Sequence, residues 1–318
     1  MSIPLNSLTI VAPVYNEEQV IPSFYLRLKD VIDSLEKESN LKIKVVYVLD
    51  RSRDNSLKLL SDIAESDERV VVLSLSSRFG HQMSLMAGIE FSKEADMIVM
   101  MDSDLQHPPE IIPMLIEEYK AGSEVVFTIR KDTAEVNFLR KFLGNIFYKL
   151  LSLISTVPIH ANAADFRLIS RKVADRLTSD FQERNMFLRG LFTWIGFNQS
   201  YVEFIAEKRF AGSSKYSLSR IMQLAGAGIL SFSTKPLHTG IFIGISFSAL
   251  SFVMILFVLG NYVLDKSIPS GWTTMAILLL LFGGVQLIVM GIIGAYIGGI
   301  YEEVKGRPRY IIEKVIKK

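Results

Sequence analysis

Two aspartates separated by one residue, Asp102 and Asp104, stand directly after the apolar run Met97–Met101. In extended backbone, residues i and i+2 point to the same side, so both carboxylates can converge on one divalent cation. Gln106 offers a further oxygen ligand. Magnesium is commonly held by one or two carboxylates together with substrate phosphates. A nucleoside diphosphate leaving group is the chemical complement, because the cation neutralises the charge that develops as it departs. Asp-x-Asp alone also describes an ordinary solvated loop. Its place at a strand's end, followed by Gln106-His107-Pro108-Pro109, favours the metal reading.

Two more polar clusters follow strand-like runs. The first is Ala12-Pro13-Val14-Tyr15-Asn16-Glu17-Glu18, and the second is Val48-Leu49-Asp50-Arg51-Ser52-Arg53-Asp54. A nucleoside can stack near Pro13 and Tyr15, with Asp50 accepting from base or ribose. Simple N-capping competes with this, since Asn16 and Asp54 each precede a helix. No Gly-x-Gly-x-x-Gly follows the first strand, which speaks against a dinucleotide site.

These clusters need a scaffold. Leu8–Val14, Ile43–Leu49, Val70–Leu75, Met97–Met101 and Val125–Ile129 read as strands, with helical patterns such as Glu17–Leu35 and Ser56–Ala64 between them. The alternation predicts an α/β fold with a doubly wound, mainly parallel sheet. Ligands then bind at the carboxyl ends of the strands, where all three clusters fall. Phe138–Ile154 carries an apolar helical stripe. It fits a helix packed on the sheet or one lying at a membrane surface. Ser217–Phe232 is a second amphipathic stretch.

Thr239–Leu264 and Ser267–Tyr301 contain no charged side chain. Crossing a bilayer takes ~20 apolar residues, so each stretch is long enough to span. A turn over 265–271 joins them into a two-helix transmembrane hairpin. Lys215, Arg220 and Lys235 precede the first span, and Lys305, Arg307, Arg309, Lys314, Lys317 and Lys318 follow the second; the turn offers only Lys266. That bias predicts both termini and the large domain in the cytoplasm. The expected organisation is a catalytic domain over 1–210, an interfacial segment over 211–237, a hairpin over 238–301 (spans about 239–264 and 272–298) and a tail over 302–318. A net charge of +2 speaks against nucleic acid as a partner. With no cysteine, disulfides and thiolate metal sites are excluded. The N-terminus lacks a basic region followed by an apolar core, so anchoring is expected from the late hairpin. Gly283, Gly284, Gly291, Gly294 and Gly298 permit close helix packing within the hairpin or between subunits, and a homo-oligomer is expected.

The runs Ala12–Glu18, Arg78-Phe79-Gly80-His81-Gln82 and Asp102–Pro109 resemble the family 2 glycosyltransferases of the A-type fold. Ala164–Arg171, Glu183–Gly190, Arg209–Tyr216, the hairpin and Gly306-Arg307-Pro308 narrow the resemblance to the polyprenyl-phosphate branch. That branch holds the dolichol-phosphate mannosyltransferases and the bactoprenol glucosyltransferases. The likeness covers nearly the whole chain and is specific for the reaction class, much less so for the sugar. It implies inverting transfer of a hexose from a nucleotide-sugar to polyprenyl phosphate at the cytoplasmic membrane face, with Mg2+ or Mn2+. UDP-glucose is the first donor expected and GDP-mannose the second.

The resemblance also implies roles. Asp102, Asp104 and Gln106 match the metal and diphosphate positions. Pro13, Tyr15, Glu17, Asp50, Gln82 and Asp102 match nucleotide-sugar positions. Asp165 matches the acidic residue of the acceptor side and, with Asp104, the catalytic pair. A phosphate monoester has its second pKa near ~6, so the acceptor needs little deprotonation. Asp165 is therefore expected to orient the acceptor or a nearby cation as much as to remove a proton; pairing with Arg167 alone is the competing reading. Arg130, Arg140, Arg209 and Lys215 are the expected grip on the lipid phosphate, since arginine offers a bidentate fork. Lys215-Tyr216 lies in a loop able to close over substrates.

The chain departs from the family in places. Asp-Asp-Gly-Ser usually follows the second strand, where Leu49-Asp50-Arg51-Ser52 stands here, and Ala295 and Gly299 replace a common Glu and a common basic residue. A processive polysaccharide synthase would need more spans and a Gln-x-x-Arg-Trp motif, which neither Trp194 nor Trp272 provides. An inactive membrane scaffold of the same fold is the non-enzymatic alternative.

Overall fold

The computed structural model describes residues 6–131, 163–184, 186–205, 235–265 and 271–318. The amphipathic stretches 138–154 and 217–232, and with them Arg140, Arg209 and Lys215, lie outside the described residues. Eight strands form one sheet: β1 (Ser7–Val14), β2 (Lys42–Leu49), β3 (Val70–Leu75), β4 (Met97–Met100), β5 (Val125–Lys131), β6 (Ala163–Ser170), β7 (Gln199–Ile205) and β8 (Ile312–Ile316). Their order is β7-β5-β6-β4-β1-β2-β3-β8. The block β4-β1-β2-β3 is parallel throughout. β6 inserts antiparallel between β4 and β5, and β7 runs parallel to β5. The expected parallel sheet is therefore the centre of a mixed one.

β3 is buried at all six residues and β1 at all but its first, because helices cover both faces. Helix α1 (Ile21–Ser39) lays Ile21, Phe24, Leu28, Ile32 and Leu35 on one face at helical spacing. It starts four residues after the expected Glu17 and ends where Asn40 turns left-handed at φ 51°. The remaining helices of the domain are α2 (Ser56–Ser66), α3 (His81–Phe91), α4 (Ile112–Lys120), α5 (Arg171–Ser179) and α6 (Leu188–Trp194). α3 is buried from Met83 to Ile89. A Cβ at Gly88 would lie 2.2 Å from Val11 Cγ1, so glycine there lets α3 press directly onto β1.

Helices α7 (Lys235–Asp265) and α8 (Trp272–Val304) are long and apolar enough to cross a membrane, over Leu237–Met254 and Leu281–Val304. Phe242, Leu279 and Leu287 are each at least 70% exposed, a surface suited to hydrocarbon rather than water. The two helices approach at Gly240, whose Cβ would lie 3.6 Å from Val289. Gly283, Gly284, Gly291, Gly294 and Gly298 would meet nothing within 4 Å, so the hairpin's own packing does not use that series.

Residues 302–318 do more than the expected tail. After α8 the chain turns at Gly306 (φ 61°) and comes back as β8, pairing antiparallel with β3. Local pattern does not reveal this, because Ile312-Glu313-Lys314-Val315-Ile316 is short, charged and largely exposed.

Candidate active site

The Asp102–Asp104 loop leaves β4 braced on three sides. Ser103 Oγ donates to the Pro13 carbonyl at 2.9 Å, tying the loop to the buried end of β1. The Asp102 backbone N–H donates to His107 Nδ1 at 3.0 Å. An accepting Nδ1 leaves the ring proton on Nε2, and the His107 ring stacks on Phe166 with centroids 5.4 Å apart. Asp104 Oδ1 accepts from the Gln106 N–H at 3.1 Å, while Leu105 between them is buried and left-handed at φ 62°. Such backbone in a non-glycine residue persists only where its surroundings fix it, commonly at functional sites. His107 entered the sequence reading only as part of a motif; here it is the loop's brace.

Asp102 and Asp104 are an oxygen-only pair, with Asp102 partly open and Asp104 nearly closed off. Among the described residues no three metal-ligating side chains converge into a cage. The pair nonetheless fits a hard divalent cation that draws its other ligands from a diphosphate and water.

The β1–α1 and β2–α2 loops are stitched together beside it. Ser52 Oγ accepts from Asn16 N–H at 3.0 Å, and Asn16 Oδ1 accepts from Arg53 N–H at 2.9 Å. Ser56 Oγ and Asp54 Oδ2 take the N–H groups of Glu17 and Glu18, each at 3.1 Å. Asn16 and Asp54 are therefore cross-links between loops, and Asp54 Oδ1 also accepts from Ser56 N–H at 3.2 Å where α2 begins. The N-cap positions fall to Val20 and Asn55, neither with a side-chain cap. Asp50, 4% exposed, accepts from Phe79 N–H at 2.8 Å and Gly80 N–H at 3.0 Å. It fixes the β3–α3 loop, a duty that any nucleoside contact must share. Arg51, in the place of the family's turn glycine, donates to the Ser76 carbonyl at 2.8 Å. Arg78 from the same loop lies 4.3 Å over the Tyr15 ring. Gln82 Oε1 accepts from Leu188 N–H at 3.0 Å, joining α3 to α6.

The opposite wall is built from charge. Asp165 on β6 takes a bidentate grip from Arg189 of α6, Nε to Oδ1 at 2.8 Å and Nη2 to Oδ2 at 2.7 Å. Arg167 Nη2 adds a third contact to Oδ1 at 3.0 Å. Arg167 is itself buried between Phe127 and Phe192, its guanidinium 5.4 and 4.6 Å from their ring centres. His81 Nε2 bridges the two walls, 3.6 Å from Asp102 Oδ1 and 3.7 Å from Asp165 Oδ2.

Burial alone would raise the Asp165 pKa, but Arg189, His81 and Arg167 outweigh it and hold the carboxyl well below its usual range. The His81 ring keeps 41% of its surface open yet sits low in the cleft. That crowding opposes charge, and Asp102 and Asp165 still raise its pKa to about 9. Burial pulls Arg167 down to about 10 against the pull of Asp165. Asp165 is thus ionised near neutrality. The competing reading, a pair with Arg167, captures half of the arrangement: Arg189 is the stronger partner. Its position in the Glu183–Gly190 motif was visible, but only the docking of α6 beside β6 gives it a role. Of the four cations expected to grip phosphate, Arg130 alone is described, exposed at the carboxyl end of β5.

A sheet with its polar residues at one end, an Asp-x-Asp loop and two apolar helices delimit the class of protein. Residues 9–178 match the family model glycosyl transferase family 2, and the chain belongs to that family. Over 306 residues it is 40% identical to the uncharacterized glycosyltransferase YkcC of Bacillus subtilis, covering 96% of this chain and 93% of the relative. Against the bactoprenol glucosyl transferase of Shigella phage SfX it is 37% identical over 306 residues, 96% of this chain and 98% of the relative. A prophage bactoprenol glucosyl transferase homolog of Escherichia coli is 35% identical over 310 residues, 98% and 99% of the two chains. At such coverage the likeness includes α7, α8 and β8 along with the catalytic sheet.

Proposed function

We propose that this chain transfers glucose from UDP-glucose to polyprenyl phosphate at the cytoplasmic face of a membrane, with inversion at the anomeric carbon. GDP-mannose is the second donor to test. The observation that carries the reading is the near full-length likeness to proteins named bactoprenol glucosyl transferase. The basic residues after α8 and before α7 support a cytoplasmic domain and termini. The catalytic unit is taken as 1–210 completed by β8, followed by an interfacial segment over 211–237 and the hairpin. The outward glycine series on α8 supports a homo-oligomer.

Asp102 and Asp104, with Gln106, are assigned to hold Mg2+ or Mn2+, which when bound neutralises the departing diphosphate. Pro13, Tyr15, Glu17, Asp50 and Gln82 are assigned to the donor side, Asp50 by fixing the amides of Phe79 and Gly80. An acceptor phosphate oxygen forms the new bond to the anomeric carbon from the face opposite the diphosphate. The old carbon–oxygen bond breaks, and its electron pair stays with the diphosphate. With the acceptor's second pKa near ~6, no proton has to leave at neutral pH. Asp165, ionised and gripped, acts as a positioning residue that aims Arg189 and His81 at the incoming anions. Arg130, Arg140, Arg209 and Lys215 complete the grip on the phosphate.

The test is transfer from labelled UDP-glucose, GDP-mannose and other nucleotide-sugars to polyprenyl phosphate in detergent, with magnesium, manganese or EDTA. One labelled lipid, formed only with metal, is expected. Well-folded protein that labels lipid from no donor would overturn the reading in favour of an inactive scaffold.

A further inference from the structure

Gly306-Arg307-Pro308 takes no part in the cleft. In the structure it lines a cavity of about 470 Å³ where α8 meets the domain, together with Arg184, Arg309, Glu90, Glu303 and Tyr310. None of these residues belongs to the Asp102–Asp165 cluster. The acidic members are already occupied. Tyr310 Oη donates to Glu90 Oε2, with Arg309 Nη2 3.6 Å away, and Arg309 Nη1 donates to the Phe181 carbonyl at 2.9 Å. Both Glu303 oxygens accept from the Arg184 backbone N–H, at 3.0 and 3.1 Å. The neighbouring Glu302 is paired with Lys305 at 2.7 Å. The guanidinium groups of Arg184 and Arg307 lie in the field of Glu302 but hold no hydrogen bond or close ion pair among the described residues, so their N–H donors face the cavity.

Position supplies the second argument. The apolar window of α8 ends at Val304, one residue past Glu303 and two before Gly306, so a membrane crossed by α8 ends at this cavity. Basic pockets at that depth meet lipid head groups, and arginine pairs with phosphate through two parallel hydrogen bonds. We propose that the cavity binds the anionic phosphate group of a membrane lipid, with Arg184 and Arg307 as the anchoring donors. The proposal rests on the reading that α7 and α8 cross the membrane. An anionic phospholipid or the polyprenyl phosphate acceptor itself would each satisfy the chemistry.

Native mass spectrometry of the full chain in detergent tests it. One arm adds phosphatidylglycerol, one polyprenyl phosphate, and one phosphatidylcholine as the zwitterionic reference. The double variant Arg184→Gln, Arg307→Gln should bind one anionic lipid fewer, or that lipid about tenfold more weakly, the weight of one charge-assisted hydrogen bond. Arg184→Lys should keep most of the binding. A drop with phosphatidylglycerol identifies a bulk-lipid site. A drop by one with polyprenyl phosphate alone identifies a staging site for the acceptor. Unchanged stoichiometry and affinity in both arms would overturn the proposal. If the double variant does not fold, Arg307→Gln on the exposed loop carries the same test. The membrane reading fails separately, if alkaline carbonate releases the chain from vesicles.

Discussion

The two walls of the cleft are held by different forces. On the side assigned to the donor, neutral or singly charged groups meet backbone amides: Ser52, Ser56, Asn16 and Asp50 each close one or two N–H groups of a neighbouring loop. Such bonds contribute about 1 kcal/mol each and act nearly independently. On the other side Asp165 sits among Arg189, Arg167 and His81, with Asp102 across the gap. Charges at these distances in a buried site cannot be changed one at a time, because each partner sets the cost of leaving the others unpaired. The wall we assign to the donor is a preformed shape, and the wall we assign to the acceptor is a single electrostatic unit.

The largest effect should come where the walls meet. Asp102→Asn and Asp104→Asn should each lower transfer by ~10²–10³, the range for losing one preorganised electrostatic contact, with little change in thermal unfolding. Full activity in Asp104→Asn would remove the metal assignment. Next comes the charged wall. Asp165→Ala strands Arg167 in an apolar site and should cost about 3–5 kcal/mol of stability as well as activity. Arg189→Ala should lower kcat ~10²-fold with a smaller loss of stability, because Arg189 is more exposed. If the wall is one unit, Asp165→Asn combined with Arg189→Ala will be no slower than the slower single variant. Additive losses in that cycle would show two independent residues instead.

The donor wall should respond more mildly. Asp50→Ala leaves the amides of Phe79 and Gly80 without a protein partner, about 1–3 kcal/mol each if water cannot replace it. The donor KM should then rise ~10-fold with kcat within about twofold, as expected for a group that shapes binding without touching the reacting atoms. A kcat loss as large as that of Arg189→Ala would erase the distinction between the walls.

How much of this was legible in the sequence follows the same divide. Strand–helix alternation and the placement of Asp102, Asp104 and Asp50 at strand ends came directly from local pattern, since period and punctuation are local properties. β6, antiparallel inside a parallel block, and β8, returning from beyond the hairpin, did not, because both are set by partners far along the chain. The residues assigned to the donor stand out by their motifs, yet the hydrogen bonds they make do not. Asn16 looks like a helix cap from spacing and proves to be a cross-link between loops, while Asp54 does both, its Oδ1 accepting from Ser56 N–H at the start of α2. On the charged wall the chemistry-bearing types were visible, but the pairing of Asp165 with Arg189, 24 residues on, needs the docking of α6 against β6.

A third charge cluster, distant from the cleft, completes the contrast. Asp67 accepts from Arg69 and from Tyr25 Oη at 2.9 Å, while Arg69 also reaches Asp33 at 2.7 Å and Glu36 at 2.9 Å. The Arg69 hydrogen bonds hold the Asp67 carboxyl at about 2, below its ordinary 3.8. A depressed folded-state pKa means that its contribution is present above pH ~4 and is lost as pH falls towards ~2. Burial, then the bond to Asp67, push Tyr25 up to about 12, so its contribution is intact below pH ~10 and fades between there and ~12. This cluster also pairs aspartate with arginine, but its outer members Asp33 and Glu36 are 40% and 32% exposed, so water screens them. Asp67→Asn should therefore flatten the acid limb of the unfolding midpoint between pH ~4 and ~2, while transfer at neutral pH stays within about twofold of wild type. Loss of transfer in that variant would show that charge pairing anywhere in the domain matters to the reaction. An unchanged rate would confine that sensitivity to the cleft, where burial turns the same ion pairs into one unit.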